Sequence, residues 1–155
     1  MKEVVELLTK NNKTISTMES CTGGGVANAI TNIEGSSSVF MFGAVTYSNE
    51  YKIKMGVDQN IIEKYSVYSM ETAIEMSKSI SAYTSSNYGV GITGKINKAD
   101  PSNPYGEDNK IFISIYDKDN DRHHNEEITA SSASRSQNKE IIIKEITEML
   151  LSILK

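Results

Sequence analysis

The residues best suited to chemistry lie in residues 19–25, which contain three adjacent nucleophile candidates: Ser20, Cys21 and Thr22. Each would need a base. The segment Glu-Ser-Cys-Thr-Gly-Gly-Gly follows a predicted strand and precedes a predicted helix. Such a junction exposes backbone N–H groups, which suit a phosphate or a developing oxyanion. A tight glycine turn capped by Thr22, with no ligand, is equally compatible, and the Gly-Lys-Ser/Thr ending of a P-loop is missing.

Two kinds of base are available to these nucleophiles. His123 and His124 lie in a polar hairpin that favours a solvated surface position, so a Ser–His–Asp triad is not expected. Lys52 lies in the first turn of a predicted helix, where the macrodipole and partial burial both favour the neutral amine that a general base must be. The alternative is a solvated lysine that Glu50 keeps charged.

The composition predicts a single globular domain over residues 1–155. With 16 basic and 20 acidic residues, the net charge is -4, which argues against direct nucleic-acid binding. No stretch approaches the ~20 apolar residues that span a bilayer, and residues 1–10 do not form a secretory signal. One cysteine excludes an intrachain disulfide, indicates a reducing cytoplasmic setting, and leaves too few ligands for a zinc site.

The apolar patterns predict alternating strands and helices, followed by a hairpin. Predicted strands cover residues 14–18, 39–47, 88–93, 111–116 and 122–130. Predicted helices cover residues 2–11, 26–33, short stretches after residues 48 and 58, a longer stretch after Ser69, and residues 134–154. This order indicates an α/β fold, a three-layer α/β/α sandwich with a mixed sheet.

Two segments allow more than one interpretation. The polar loop at residues 94–109 contains both prolines and Gly106, and loops of this length are usually functional or mobile. The apolar residues 39–45 are compatible with a core strand or with an edge strand that forms a dimer.

Three motifs in the first third of the chain strongly resemble the CinA C-terminal domain family. They are TMESCTGG at residues 17–24, GSS at residues 35–37, and VTYSN at residues 45–49 together with Lys52. Weaker matches are VYS at residues 67–69, GITG at residues 91–94 and PYG at residues 104–106. The resemblance covers essentially the whole chain.

The characterised enzymes of that family are nicotinamide mononucleotide deamidases. The resemblance therefore implies hydrolysis of the nicotinamide carboxamide to nicotinate mononucleotide and ammonia, without a metal or cofactor. It implies Ser20 as nucleophile, Lys52 as base and Tyr47 as an orienting or proton-relaying residue. It implies substrate, oxyanion or phosphate contacts from Thr22, Gly23, Gly24, Thr93 and Gly94. It also implies a five-stranded mixed sheet in a three-layer sandwich, and a homodimer.

The loop after Gly94 departs from the family pattern. The family usually continues with Ile-Ala-Gly-Pro and further glycines, whereas this chain reads KINKADP at residues 95–101. Lys95 and Lys98 could bind a phosphate as point charges. Arg135 and Lys139 are further phosphate candidates, although an exposed helix face is favoured for both.

This departure leaves an alternative from another functional class. The chain could be a catalytically weak or inactive nucleotide-binding module with an altered loop at residues 94–109. A protein-interaction domain for DNA uptake or repair is a third interpretation, and it rests only on the family's historical name.

Overall fold

The strands and helices follow the predicted order in a computed structural model that describes residues 1–97, 101–131 and 134–155. The strands are β1 Ile15–Glu19, β2 Phe40–Val45, β3 Tyr88–Gly94, β4 Lys110–Asp117 and β5 Arg122–Thr129. The helices are α1 Lys2–Lys10, α2 Gly25–Thr31, α3 Asn49–Lys54, α4 Gln59–Tyr65, α5 Met70–Thr84 and α6 Arg135–Leu154. A 3-10 turn covers Ser36–Ser38.

The five strands form one mixed sheet in the order β2-β1-β3-β4-β5. Strand β1 pairs in parallel with β2 and β3, whereas β4 and β5 continue the sheet in antiparallel pairing. Glu19 at the end of β1 is in register with Val45 of β2 and Ile92 of β3. The carboxyl ends of three parallel strands therefore meet at one edge of the sheet, which is where open α/β sheets bind ligands.

Helices cover both faces of the sheet, which confirms the predicted α/β/α sandwich. Helices α1, α2 and α6 pack on the face that carries the isoleucines of β4: Ile111, Ile113 and Ile115. On the opposite face, α5 packs closely on β3. The approach is so close that a Cβ at Gly91 would lie 2.3 Å from the Ala73 carbonyl oxygen. Only glycine, which has no side chain, fits at this position.

Strand β2 is an edge strand, because β1 is the one described strand that pairs with it. The residues of β2 are mostly exposed, and Met41 is 71% exposed. Of the two interpretations of residues 39–45, the structure therefore favours an edge strand and not a core strand.

The hairpin histidines depart in part from the predicted surface position. His123 is half-buried, its Nδ1 lies 3.2 Å from Ser114 Oγ, and its ring stacks near Tyr116. Burial, followed by the charge of Lys78, lowers the pKa of His123 below its ordinary value of 6.5.

None of the described helices is long and apolar enough to cross a bilayer.

Candidate active site

Ser20 and Lys52, 32 residues apart in the chain, meet at the carboxyl edge of the parallel strands. Ser20 directly follows β1, and Lys52 lies on α3, which follows β2 after a three-residue connection. Lys52 Nζ lies 3.1 Å from Ser20 Oγ. This distance is within the range that proton transfer between a nucleophile and its base requires.

Lys52 is 1% exposed, so the alternative of a solvated helix lysine is wrong. Its Nζ donates to the Thr46 carbonyl oxygen at 2.7 Å. Glu50, which could have kept Lys52 charged, instead pairs with the exposed Lys54. Removing an amine from water disfavours its charged form. A neutral amine that donates to Thr46 can direct its lone pair at the Ser20 hydroxyl.

Glu19 is fully buried and caps the N-terminus of α2. Its Oε2 accepts from the Gly24 and Val26 N–H groups, both at 3.1 Å, and its Oε1 accepts from the Ala27 N–H at 2.8 Å. The carboxylate thus satisfies three donors at the positive end of the helix, where a negative charge is most stable.

This cap corrects the expectation that the glycine turn offers its N–H groups to a ligand. The Gly24 N–H is taken by Glu19, and the Gly23 N–H donates to the Ser20 carbonyl oxygen at 3.0 Å. The N-cap of α2 is Gly24 and not Thr22, whose buried Oγ1 has no hydrogen-bond partner among the described residues. In the same ranges, the N–H groups of Cys21 and Thr22 donate to no other residue.

The structure distinguishes the three nucleophile candidates by their surroundings. Burial raises the pKa of the Cys21 thiol to about 12, so the reactive thiolate is scarce at neutral pH. Thr22 is buried, and its hydroxyl has no hydrogen-bond partner in the part of the chain that the structure describes. Ser20 is the candidate that lies beside the lysine amine.

A cavity of about 810 Å³ opens above Ser20. Three tyrosines and two cations contribute to its wall: Tyr47, Tyr51, Tyr68, Lys95 and Arg135. No Asp or Glu belongs to the part of this wall that the structure describes. An acidic protein therefore has a locally cationic, aromatic cavity, which suits an anionic ligand with a planar ring.

Tyr47 and Arg135 lie together at the mouth of this cavity. The Arg135 guanidinium donates to the Tyr47 hydroxyl at 3.3 Å and to the Ile96 carbonyl oxygen. Within the described ranges, no hydrogen bond joins Tyr47 to Ser20 or Lys52. Arg135 is exposed, as the sequence favoured, but its guanidinium also contributes to the cavity wall. The hydroxyl of Tyr47 contacts this guanidinium, so its role as a proton relay stays a prediction.

The end of β3 contributes Gly94 and Lys95 to the cavity wall but not Thr93. Thr93 is fully buried and donates to the Val67 carbonyl oxygen at 2.8 Å, which is a structural contact. Lys98, the other added lysine, lies outside the described residues.

Sequence reasoning assigned no role to Glu19, although an acidic residue shortly before a glycine-rich helix start is a recognisable signal for a buried cap.

The described residues include no cluster of three His, Cys, Asp or Glu side chains that could hold a metal ion. Independently of this, the approach of the Lys52 amine to Ser20 offers the chemistry of a serine activated by an amine. Such a pair suits acyl transfer, in which a hydroxyl attacks a carbonyl carbon.

Comparison with known proteins gives a consistent result. A "CinA-like protein" of Kosmotoga olearia is 43% identical over 116 residues, which are 73% of this chain and 27% of that protein. The chain thus spans about a quarter of the length of that curated relative. The crystal structure of competence/damage inducible protein CihA from Agrobacterium tumefaciens aligns with a TM-score of 0.88 and 26% identity, covering 99% of this chain and 92% of that one.

A competence-damaged protein (CinA) superfamily structure from Klebsiella pneumoniae aligns with a TM-score of 0.90 over 99% of this chain and 94% of that one. At 18% identity, this likeness shows the fold alone. The family model for the CinA C-terminal domain matches residues 1–154. With its fold, its sequence motifs and this match in agreement, the chain belongs to the CinA C-terminal domain family.

Proposed function

We propose that this chain is an amidohydrolase that converts nicotinamide mononucleotide to nicotinate mononucleotide and ammonia. The observation that carries the proposal is the 3.1 Å approach of the buried Lys52 amine to Ser20 Oγ beside a cationic, aromatic cavity. A free thiol at Cys21 fits a reducing compartment such as the cytoplasm.

The proposed reaction begins when neutral Lys52 takes the Ser20 hydroxyl proton as Oγ attacks the carboxamide carbon. The resulting tetrahedral oxyanion needs donors that the protein does not already use, and we assign this role to the N–H groups of Cys21 and Thr22. The lysine then passes the proton to the leaving nitrogen, which departs as ammonia. Water, activated by the same amine, hydrolyses the Ser20 ester and releases nicotinate mononucleotide.

The cavity wall supports an anionic nucleotide as the substrate. Arg135 is the cation that we assign to the phosphate, because a guanidinium can bind phosphate oxygens with two donors. The tyrosines Tyr47, Tyr51 and Tyr68 offer rings on which a pyridine can pack.

Ammonia release from nicotinamide mononucleotide tests the proposal. Ser20→Ala should lose about a thousandfold or more in kcat. Lys52→Met should lose about 10²- to 10⁴-fold, the range for a positioned general base. Lys54→Met, on the same short helix but exposed, is the matched control and should retain the rate. A folded wild-type protein that binds the nucleotide and releases no ammonia would instead identify a binding module.

We also propose that two copies associate through the uncovered edge of β2. This edge leaves backbone hydrogen-bonding groups without a strand partner and carries exposed apolar side chains at Met41 and Val45. Light scattering at micromolar concentration should give twice the monomer mass, and Met41→Glu should reduce it. A wild-type monomer at that concentration would contradict this assembly.

A further inference from the structure

Lys95 is a buried lysine that the proposed reaction does not use. Its side chain is 3% exposed, and its Nζ donates to the Gly106 carbonyl oxygen at 3.0 Å. The same ammonium lies 5.6 Å from the centre of the Tyr68 ring and 3.7 Å from the exposed carboxylate of Asp108. The cation thus contacts the segment 101–109, of which Ser102 and Asn103 line the cavity.

Further hydrogen bonds among the described residues also tie this segment to the rest of the protein, including one from the Ala130 N–H to the Asn109 carbonyl oxygen at 2.9 Å. Two others involve side chains. Asn49 Nδ2 donates to Asn103 Oδ1 at 2.9 Å, and the Asn97 N–H donates to Asn109 Oδ1 at 2.8 Å. Both are hydrogen bonds between neutral groups in partly buried surroundings. The Lys95 contact is charge-assisted and shielded from water, and such bonds are roughly twice as strong as neutral ones.

The backbone at Gly106 is shaped for this contact. Gly106 has a φ of +95°, which other residues rarely adopt, and a Cβ there would lie 3.1 Å from Tyr68 Cβ. The glycine therefore lets the segment lie directly on Tyr68, so that its carbonyl oxygen reaches the buried ammonium.

We propose that Lys95 is a positioning residue that holds residues 101–109 in place, so that Ser102 and Asn103 form one wall of the substrate cavity. The expected effect of Lys95 on substrate kinetics rests on the proposed function, whereas its expected effect on the loop does not. It also replaces the expectation that Lys95 binds a phosphate directly, because its hydrogen bond goes to the loop backbone.

Hydrogen exchange of the ligand-free protein tests the structural part. Peptides covering residues 101–110 should exchange about tenfold faster in Lys95→Met than in wild type, because the charged donor is lost. Lys95→Arg should restore part of the protection. Lys118→Met removes an exposed lysine from the β4–β5 hairpin and should leave the segment unchanged. Unchanged exchange in a folded Lys95→Met protein would overturn the proposal.

Kinetics with nicotinamide mononucleotide and nicotinamide riboside test the functional part. A displaced cavity wall should raise KM about tenfold for both substrates while kcat changes less. A rise confined to the phosphate-bearing substrate would overturn the proposal and identify Lys95 as a phosphate ligand. If wild type releases no ammonia from either compound, the proposed function fails, and the exchange measurement still decides the role of Lys95.

Discussion

Replacing Glu19 with glutamine tests whether this carboxylate stabilises the turn that contains Ser20. The substitution preserves the shape of the side chain but exchanges one acceptor oxygen for an NH2 group. In the protein, Oε2 accepts from Gly24 and Val26, and Oε1 accepts from Ala27. Whichever way the amide is turned, at least one of these N–H groups faces another donor.

The expected loss of stability follows from these contacts. One buried donor left without an acceptor costs about 1–3 kcal/mol. Losing the negative charge at the helix N-terminus costs about 0.3–1 kcal/mol more. At ~2–4 °C per kcal/mol for a domain of this size, Glu19→Gln should lower Tm by about 3–16 °C. Activity should also fall, because Ser20 lies next to the released turn.

Thermal unfolding followed by circular dichroism at pH 7 provides the measurement. Glu34→Gln is the matched control, since it makes the same change at an exposed position shortly after α2. At ~2–4 °C per kcal/mol, melting temperatures within 1 °C of each other mean that the two variants differ in stability by well under about 1 kcal/mol. Such a result would show that the cap contributes little and would refute the reasoning.

Three further predictions concern packing, pH and thiol reactivity. Gly91→Ala should lower the free energy of unfolding by about 3 kcal/mol or more, because its Cβ would lie 2.3 Å from a backbone oxygen. Gly35→Ala, which has open space around it but a positive φ, should lower it by only about 1–2 kcal/mol. Urea unfolding measures both. The lowered pKa of His123 means that the unfolded state protonates first as pH falls below 6.5, so the free energy of unfolding should decrease there. This decrease should be smaller in His123→Gln than in wild type. If both proteins show the same dependence of stability on pH, the prediction is wrong. Cys21, whose pKa is about 12, should react with a maleimide only after unfolding, and Cys21→Ala should keep the rate of ammonia release. Rapid labelling of the native protein would show that the thiol is accessible.

The order and type of the elements could be predicted from the sequence because apolar periodicity is a local property of the chain. The alternating isoleucines of β4 and the apolar stripe of α6 each identify one buried face, so their element types follow without knowledge of their partners. The glycine turn after Ser20 could also be predicted, but the residue pattern left open whether this turn binds a ligand or is only a tight turn. The five-stranded count came from the family resemblance and is confirmed by the sheet.

The geometry of the site could not be predicted in the same way, because it depends on which distant residues the fold brings together. Sequence reasoning left open whether Lys52 is a buried base or a solvated helix lysine. Only the tertiary fold places its amine 3.1 Å from Ser20 Oγ. The same holds for Arg135, which reaches the cavity only because α6 begins beside Ile96.

The sequence by itself determined the fold class, the order of the elements and the segment in which Ser20, the proposed nucleophile, lies. The tertiary structure decided which groups are available for chemistry. It showed that Glu19 takes the helix N–H donors that a ligand was expected to use, and that the Lys95 side chain donates a hydrogen bond to the Gly106 carbonyl oxygen. The reason is that hydrogen-bond donors and charges are satisfied by whichever acceptor folding places within about 3 Å, and that choice is not encoded in local spacing.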